Sequence, residues 1–178
     1  VVNIITRKPG DKQPFKAFAN MGVGTYSSSE YDAGFSGSHN GLSYSLYGGY
    51  GQSAGFDATT NKNYYANPDT DSYYRSNIGG QIGMAWQTGQ TLTLSTYQSR
   101  SNAGLDFGTP YFNDRGIQTL SNTTLTSSNQ INKIWLSTFT ASILTDQYEN
   151  KITPTGNFSG TETYKTDQTQ YVWQNNFK

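Results

Sequence analysis

The stretch NIGGQIGMAW, residues 77 to 86, puts Ile78, Gly80, Ile82, Met84 and Trp86 at one parity and Asn77, Gly79, Gln81, Gly83 and Ala85 at the other. A period of two is the spacing of a β-strand with one apolar side. The same pattern recurs upstream, where Leu42, Tyr44, Leu46 and Tyr50 alternate with Ser43, Ser45, Tyr47 and Gly49. It recurs downstream, where Leu92, Leu94 and Thr96 alternate with Thr91, Thr93 and Ser95. Phe15, Ala17, Ala19, Met21 and Val23 form a fourth case, and Tyr31, Ala33, Phe35 and Gly37 a fifth. Three further strands are predicted over residues 118 to 127, 132 to 148 and 164 to 178, the middle one changing its apolar face near Phe139.

Composition agrees with an all-β chain. Of 178 residues, 33% are hydrophobic and only 13% charged, against roughly 25% charged in an average soluble domain. The polarity therefore comes from Ser, Thr, Asn, Gln, Tyr and Gly; Gly, Asn, Thr and Tyr are poor helix formers and the strong formers Leu, Glu, Lys and Met are scarce, which argues against a helical bundle. Twelve basic residues balance twelve acidic ones, so nucleic acid is not an expected partner. With no cysteine and one histidine, neither a thiolate metal centre nor a zinc site is expected. No run approaches the roughly 20 apolar residues of a membrane helix, which leaves membrane strands open.

The connections alternate in length. Asn40-Gly41 is a two-residue hairpin signal, and residues 87 to 90 and 127 to 131 are short, whereas 51 to 72, 99 to 117 and 149 to 163 read as long loops. On the long-loop side only 27 to 30 is short. Short turns and long loops therefore fall at opposite ends of an up-and-down antiparallel meander of about eight strands. Tyr26, Tyr31, Tyr50, Tyr73, Tyr74, Tyr97, Tyr148 and Tyr164 sort to the long-loop end, and Phe15, Trp86, Trp135 and Phe177 to the other. Two aromatic belts, one-sided strands and loops sorted by end are the features of part of a larger transmembrane β-barrel. The competing reading is a soluble sandwich, whose strands alternate because one face lies in a core.

The opening Val1-Val2-Asn3-Ile4-Ile5-Thr6-Arg7-Lys8-Pro9-Gly10 resembles the end of the plug domain in TonB-dependent outer-membrane receptors, where such a strand leads into the first barrel strand. The resemblance implies that residues 1 to 10 close a plug and that 11 to 178 are the first strands of a barrel of twenty-two. Such receptors take up a chelate across the bacterial outer membrane, energised through the plug by the TonB complex, and are not enzymes. Within that family the chain looks most like the cobalamin-transporting members. Gly55-Phe56-Asp57, Asp69-Thr70-Asp71, Leu105-Asp106-Phe107 and Asn113-Asp114-Arg115 resemble their two calcium-binding loops, although those loops carry a tyrosine where Leu105 stands. The similarity implies calcium ligands at Asp57, Asp69, Asp71, Asp106 and Asp114.

Coordination chemistry supports the same metal. Calcium takes six to eight oxygens, and five Asp with Asn67, Asn113 and backbone carbonyls supply enough for two shells. Loop parity puts both segments at one end of the barrel, on either side of the hairpin 73 to 98. Each Asp taken singly is as readily a solvated turn residue.

Two other readings stand beside cobalamin uptake: a receptor of the same family with a siderophore or other chelate as cargo, and, from a different class, a small eight-stranded adhesin or anchor barrel, which requires the first and last strands to pair. His39 precedes the Asn40-Gly41 turn with no acid or nucleophile near it in sequence, so turn packing accounts for it. Gly22-Val23-Gly24 and Gly48-Gly49 open no helix and so cradle no phosphate. The glycosylation patterns at Asn122 and Asn157 have no use in a bacterial barrel.

Overall fold

The computed structural model describes residues 14 to 57, 62, 69 to 106, 114 to 155 and 158 to 178. The opening segment 1 to 10, Asn67 and Asn113 lie outside the described residues. Eight strands, β1 (Lys16–Gly24), β2 (Ser28–His39), β3 (Leu42–Ser53), β4 (Tyr73–Gln87), β5 (Gln90–Leu105), β6 (Asp114–Gln130), β7 (Trp135–Thr155) and β8 (Phe158–Phe177), follow one another along the chain. They form one antiparallel sheet in chain order, and the described residues contain no helix. All eight strands lie in a single layer, so the two packed sheets of a sandwich are absent among the described residues. There β1 and β8 also make no contact with each other, so the sheet stays open along both edges.

The turns follow local chemistry. At Asn40-Gly41 both residues are left-handed, with φ of 48° and 80°, the geometry that matches strand twist in a two-residue hairpin. A Cβ on Gly41 would sit 2.3 Å from the Ala85 carbonyl oxygen, and Gly41 O accepts a hydrogen bond from Ala85 N at 2.7 Å. The β1–β2 connection is tighter than the sequence predicts. Tyr26 and Ser27 carry φ of 56° and 53°, Ser28 N donates to Thr25 O at 3.1 Å, and β2 starts at Ser28.

Register divides the side chains into two faces. Leu42, Tyr44 and Leu46 pair with Met84, Ile82 and Gly80; Met84 and Ile82 pair in turn with Leu92 and Leu94, so the apolar parity is shared from strand to strand. The other parity carries Ser43, Ser45, Gln81, Thr91, Thr93 and Ser95. Hydroxyls there meet across β6 and β7: Thr124 with Ser142 at 3.1 Å, Thr126 with Thr140 at 3.4 Å and Ser128 with Thr138 at 3.4 Å. Each pair satisfies its polar groups sideways, within the sheet.

Exposure is inverted relative to a water-soluble domain. On β5, Leu92 and Leu94 are 37% and 45% exposed, while Thr91, Thr93, Ser95, Tyr97 and Ser99 are half-buried. On β4 and β5 the polar face is thus the enclosed side and the apolar face the open one, whereas β1 and β8, at the edges of the sheet, are exposed on both faces. Among the described residues Ile117 is the one buried hydrophobic side chain; no hydrophobic core lies between layers.

The apolar band crosses the sheet obliquely. A single row of paired residues runs Ala19, Ala33, Gly48, Ile78, Gln98, Ser121, Thr145, Asp167, leaving the band by β5. On β8 the band has moved to Tyr171, Trp173 and Phe177, the last of which stacks on Trp135 at 5.7 Å. This drift of about one residue per strand, with roughly 3.3 Å per residue and 4.8 Å between strands, is a tilt of about 35° between the strands and the normal to the band.

Charge divides by face as well. On β1 to β4 the apolar face bears no charged residue; on β5 to β8 it bears Arg100, Arg115, Lys151 and Lys165 with Glu149 and Asp167, all on the long-loop side of the band. The charged strand residues of the polar face are mainly acidic, with Glu30, Asp32, Asp114, Asp146 and Glu162 against Lys16 and Arg75. Arg75 and Glu30 form an ion pair there.

Three expectations need correction. Residues 149 to 163 are not a long loop, because β7 runs to Thr155 and β8 begins at Phe158. The loop predicted at 99 to 117 shrinks to the residues between Leu105 and Asp114. Both errors have one cause: past the apolar band both faces are polar, so alternation fades while the backbone ladder continues. Nor does the apolar face change near Phe139. Pairing of β7 with β6 is unbroken from Leu136 to Lys151, so Trp135, Phe139 and Ile143 keep one parity and Leu136 and Leu144 point to the polar face.

Candidate cation-binding loop cluster

The central strands β3, β4, β5 and β6 bring the ends of two connections together at one end of the sheet. Beyond β3 the chain turns at Gly55, whose φ is 73°, and Asp71 N donates to Phe56 O at 3.2 Å. Ser72 O then accepts from Gly104 N at 2.8 Å. Asp71 is therefore held between the exit of β3 and the end of β5. Glycine is required on both sides: a Cβ on Gly55 would lie 2.1 Å from Asp71 O, and one on Gly104 would lie 2.9 Å from Asp71 Cα.

This close approach gathers carboxylates. Asp69, Asp71 and Asp106 each offer an oxygen within 4.8 Å of the others. Two ligands of one calcium at roughly 2.3 to 2.6 Å are separated by no more than about 5 Å, so the three fit a shared ion of that kind. Asp57 lies close enough to act on Asp69 electrostatically. Asp114 is 3% exposed and pairs with Leu105, the residue before Asp106. Of the five predicted ligands, three converge, one neighbours them and one is buried in the adjoining strand.

Crowding shows in the proton affinity of Asp69. Its pKa is raised, first by partial desolvation and then by the Asp71 and Asp57 carboxylates, while its own backbone hydrogen bond and the Arg115 guanidinium pull it down. Asp69 is nonetheless exposed overall, so the desolvation is that of a crowded surface carboxylate. A divalent cation would reverse the balance by offsetting the mutual repulsion.

A second group of residues braces the cluster. Arg115 donates from Nε to Asn102 Oδ1 at 2.6 Å and from a terminal nitrogen to Ser72 Oγ at 2.9 Å; Asn102 Nδ2 donates to the Tyr74 hydroxyl at 2.7 Å. Ser72 is the residue after Asp71, so the brace fixes the hinge of the first loop from the second. Sequence reading gave Arg115 no part in this. The available signal is register: Arg115 faces Gly104, the glycine against which Asp71 rests.

No protein-family model and no curated protein matches this chain.

Proposed function

We propose that this chain is wall and extracellular loop of an outer-membrane β-barrel receptor of the TonB-dependent type, taking up cobalamin with calcium-ordered loops. The observation that carries the membrane reading is the inverted exposure of the sheet. Ile78, Ile82, Met84, Leu94 and Ile143, all on interior strands, are 53%, 52%, 51%, 45% and 61% exposed, and each would gain roughly 1.5 to 3 kcal/mol or less on leaving water. A lipid bilayer supplies that environment along one oblique band. The tilt of about 35° is that of barrel strands, and the two open edges favour a larger barrel over an eight-stranded adhesin or anchor.

The receptor part of the reading rests on the VNIIT resemblance and on the loop acids. Asp69, Asp71 and Asp106 would hold calcium, with Asp57 and Asp114 beside them, and the ion would supply charge neutralisation that lets the two loops close on each other. Ordered loops present a preformed docking surface, which lowers the ordering cost of binding. Uptake would further require the plug and its contact with the TonB energy complex.

The test is equilibrium binding to a full-length receptor carrying this segment, isolated from outer membranes. Cobalamin should bind, more tightly in calcium than in chelator. Recovery of the protein outside the membrane fraction would overturn the barrel reading. Absence of cobalamin binding under both conditions would shift the cargo to a siderophore or another chelate.

A further inference from the structure

We propose that the polar face of β1–β5 carries an aromatic docking strip for the chain's own opening segment, with Val1, Val2, Ile4 and Ile5 seated on it. The strip is one row of the register, Phe18, Gly34, Tyr47, Gly79 and Tyr97, in which rings alternate with glycines from β1 to β5. The glycines let the rings lie down. A Cβ on Gly34 would sit 2.7 Å from Phe18 Cε1, and one on Gly79 would strike the hydroxyl end of the Tyr47 ring, so each ring lies across the glycine beside it. Gly79 is buried, while Tyr47, on an interior strand, is 38% exposed. The result is a low apolar ribbon on a face whose adjoining rows carry Ser45, Gln81 and Ser95 on one side and Asn77 and Ser99 on the other. The inference rests on the barrel reading, which makes this face the enclosed one, and uses neither the metal nor the cargo.

Among the described residues each strand contacts only its neighbours in the sheet, so no other element covers the ribbon. Exposed rings on an otherwise polar face call for an apolar cover. The opening segment begins next to them. Pro14, whose carbonyl accepts from the Tyr44 hydroxyl at 2.9 Å, stands just before β1 and four residues from Phe18. From there the ribbon lies about 13 Å back along the wall, at roughly 3.3 Å per residue, and extends about 19 Å across it, at roughly 4.8 Å per strand. The thirteen residues before Pro14 reach about 43 Å when extended, enough to double back and span the strip. Polarity runs in the same order on both partners. Leaving Pro14, the segment is polar from Gln13 to Arg7, with Pro9-Gly10 as a turn signal, before its apolar run from Ile5 to Val1. The wall, followed from the level of Pro14, is polar through Ser45, Gln81 and Ser95 before it reaches the rings. A separate partner would need the same apolar run, which this chain already holds within reach.

The experiment uses the full-length receptor in outer-membrane vesicles, with Ile4→Cys as a reporter in a segment that has no cysteine of its own. A water-soluble maleimide should label the reporter slowly in the native wall and about tenfold faster or more in Tyr47→Ala/Tyr97→Ala, the scale of losing two apolar contacts. Gln81→Ala, one register row away on the same face, should leave the rate unchanged. A cysteine pair reads position with different substitutions, and so tests the docking even where the double alanine variant fails to assemble. Ile4→Cys with Tyr47→Cys should cross-link on mild oxidation, and Ile4→Cys with Ile82→Cys, on the open face, should not. Equal labelling rates in the native and double alanine walls, no cross-link to Tyr47→Cys, or an equal one to Ile82→Cys would each overturn the docking. Failure of the barrel reading is distinct, because it would appear first as a receptor that does not partition with membranes.

Discussion

Ile82 on β4 faces Leu94 on β5 across the sheet, and both side chains are open, at 52% and 45% exposure. Next to them in the chain, Gln81 pairs with Ser95 on the opposite face, and both of these are half-buried. The reversal assigns the two positions opposite environments. In a full-length barrel, Ile82→Lys should cost about 2 to 4 kcal/mol, the cost of a cation near the bilayer midplane, and Gln81→Lys much less. Folding titrations into lipid vesicles measure both; equal costs would remove the assignment of faces.

The β1–β2 turn holds two non-glycine residues in left-handed conformations, Tyr26 and Ser27. Left-handed backbone costs an L-residue roughly 1 to 2 kcal/mol, and glycine is spared it. Ser27→Gly should therefore stabilise the hairpin by about 1 kcal/mol, read as a higher urea midpoint for unfolding in micelles. The turn keeps its other ties, since Tyr26 O accepts from Ala54 N at 2.9 Å and from Ser53 Oγ at 3.2 Å. A lower midpoint would mean that the serine side chain contributes more than the backbone strain removes.

The strand pattern was legible where one face met the apolar band and the other did not, as at residues 77 to 86. It failed beyond the band. Glu149, Asn150 and Lys151 still pair with Ile117, Gly116 and Arg115, but their sequence carries no alternation to reveal it. The acids Asp69, Asp71 and Asp106 were legible as a group because they are rare in a chain with so little charge. Their brace was not, since Arg115, Asn102 and Tyr74 come from three strands and meet only once register is known. Glycines 55 and 104 were equally silent: nothing local distinguishes them from those elsewhere in the wall, and the reason for each is Asp71.

That reason predicts an effect of size alone. Gly104→Val should push Asp71 away from Asp69 and Asp106 and weaken calcium binding, with a cost of about 1 to 3 kcal/mol if the loop must strain to accommodate it. Gly55→Val adds a positive φ to the same clash. Gly22→Val serves as the control, because a Cβ there meets nothing within 4 Å. Calorimetric calcium titration of the three variants is the measurement, and an unaltered affinity in Gly104→Val would separate the glycine from the metal.

The raised pKa of Asp69 fixes the sign of a pH dependence. Folding favours its protonated form, so this contribution to stability is fully present below the unfolded pKa and is lost as pH rises through the folded pKa. Calcium needs the carboxylate and acts in the opposite sense. Acidification should weaken calcium binding from a higher pH than an ordinary aspartate would allow, and Asp69→Asn should flatten that part of the profile. Titrations across the acid range test it; a profile unchanged by Asp69→Asn would place the controlling proton elsewhere.

Metal and cargo are linked by reciprocity. If calcium orders the loops that cobalamin contacts, each tightens the other by the same factor. Asp69→Asn/Asp71→Asn leaves the wall intact, since both side chains lie outside the strands, and removes two of the three converging carboxylates. The variant should reach the membrane normally and bind cobalamin more weakly, with partial recovery at raised calcium through the remaining oxygens. The coupling should be about 1 to 3 kcal/mol, or roughly 5- to 150-fold in affinity. Repeating the titration from the calcium side, with and without cobalamin, must return the same factor. Cobalamin affinity that is equal in chelator and in calcium would reject the coupling even with the metal bound, and would leave calcium a role in loop stability alone.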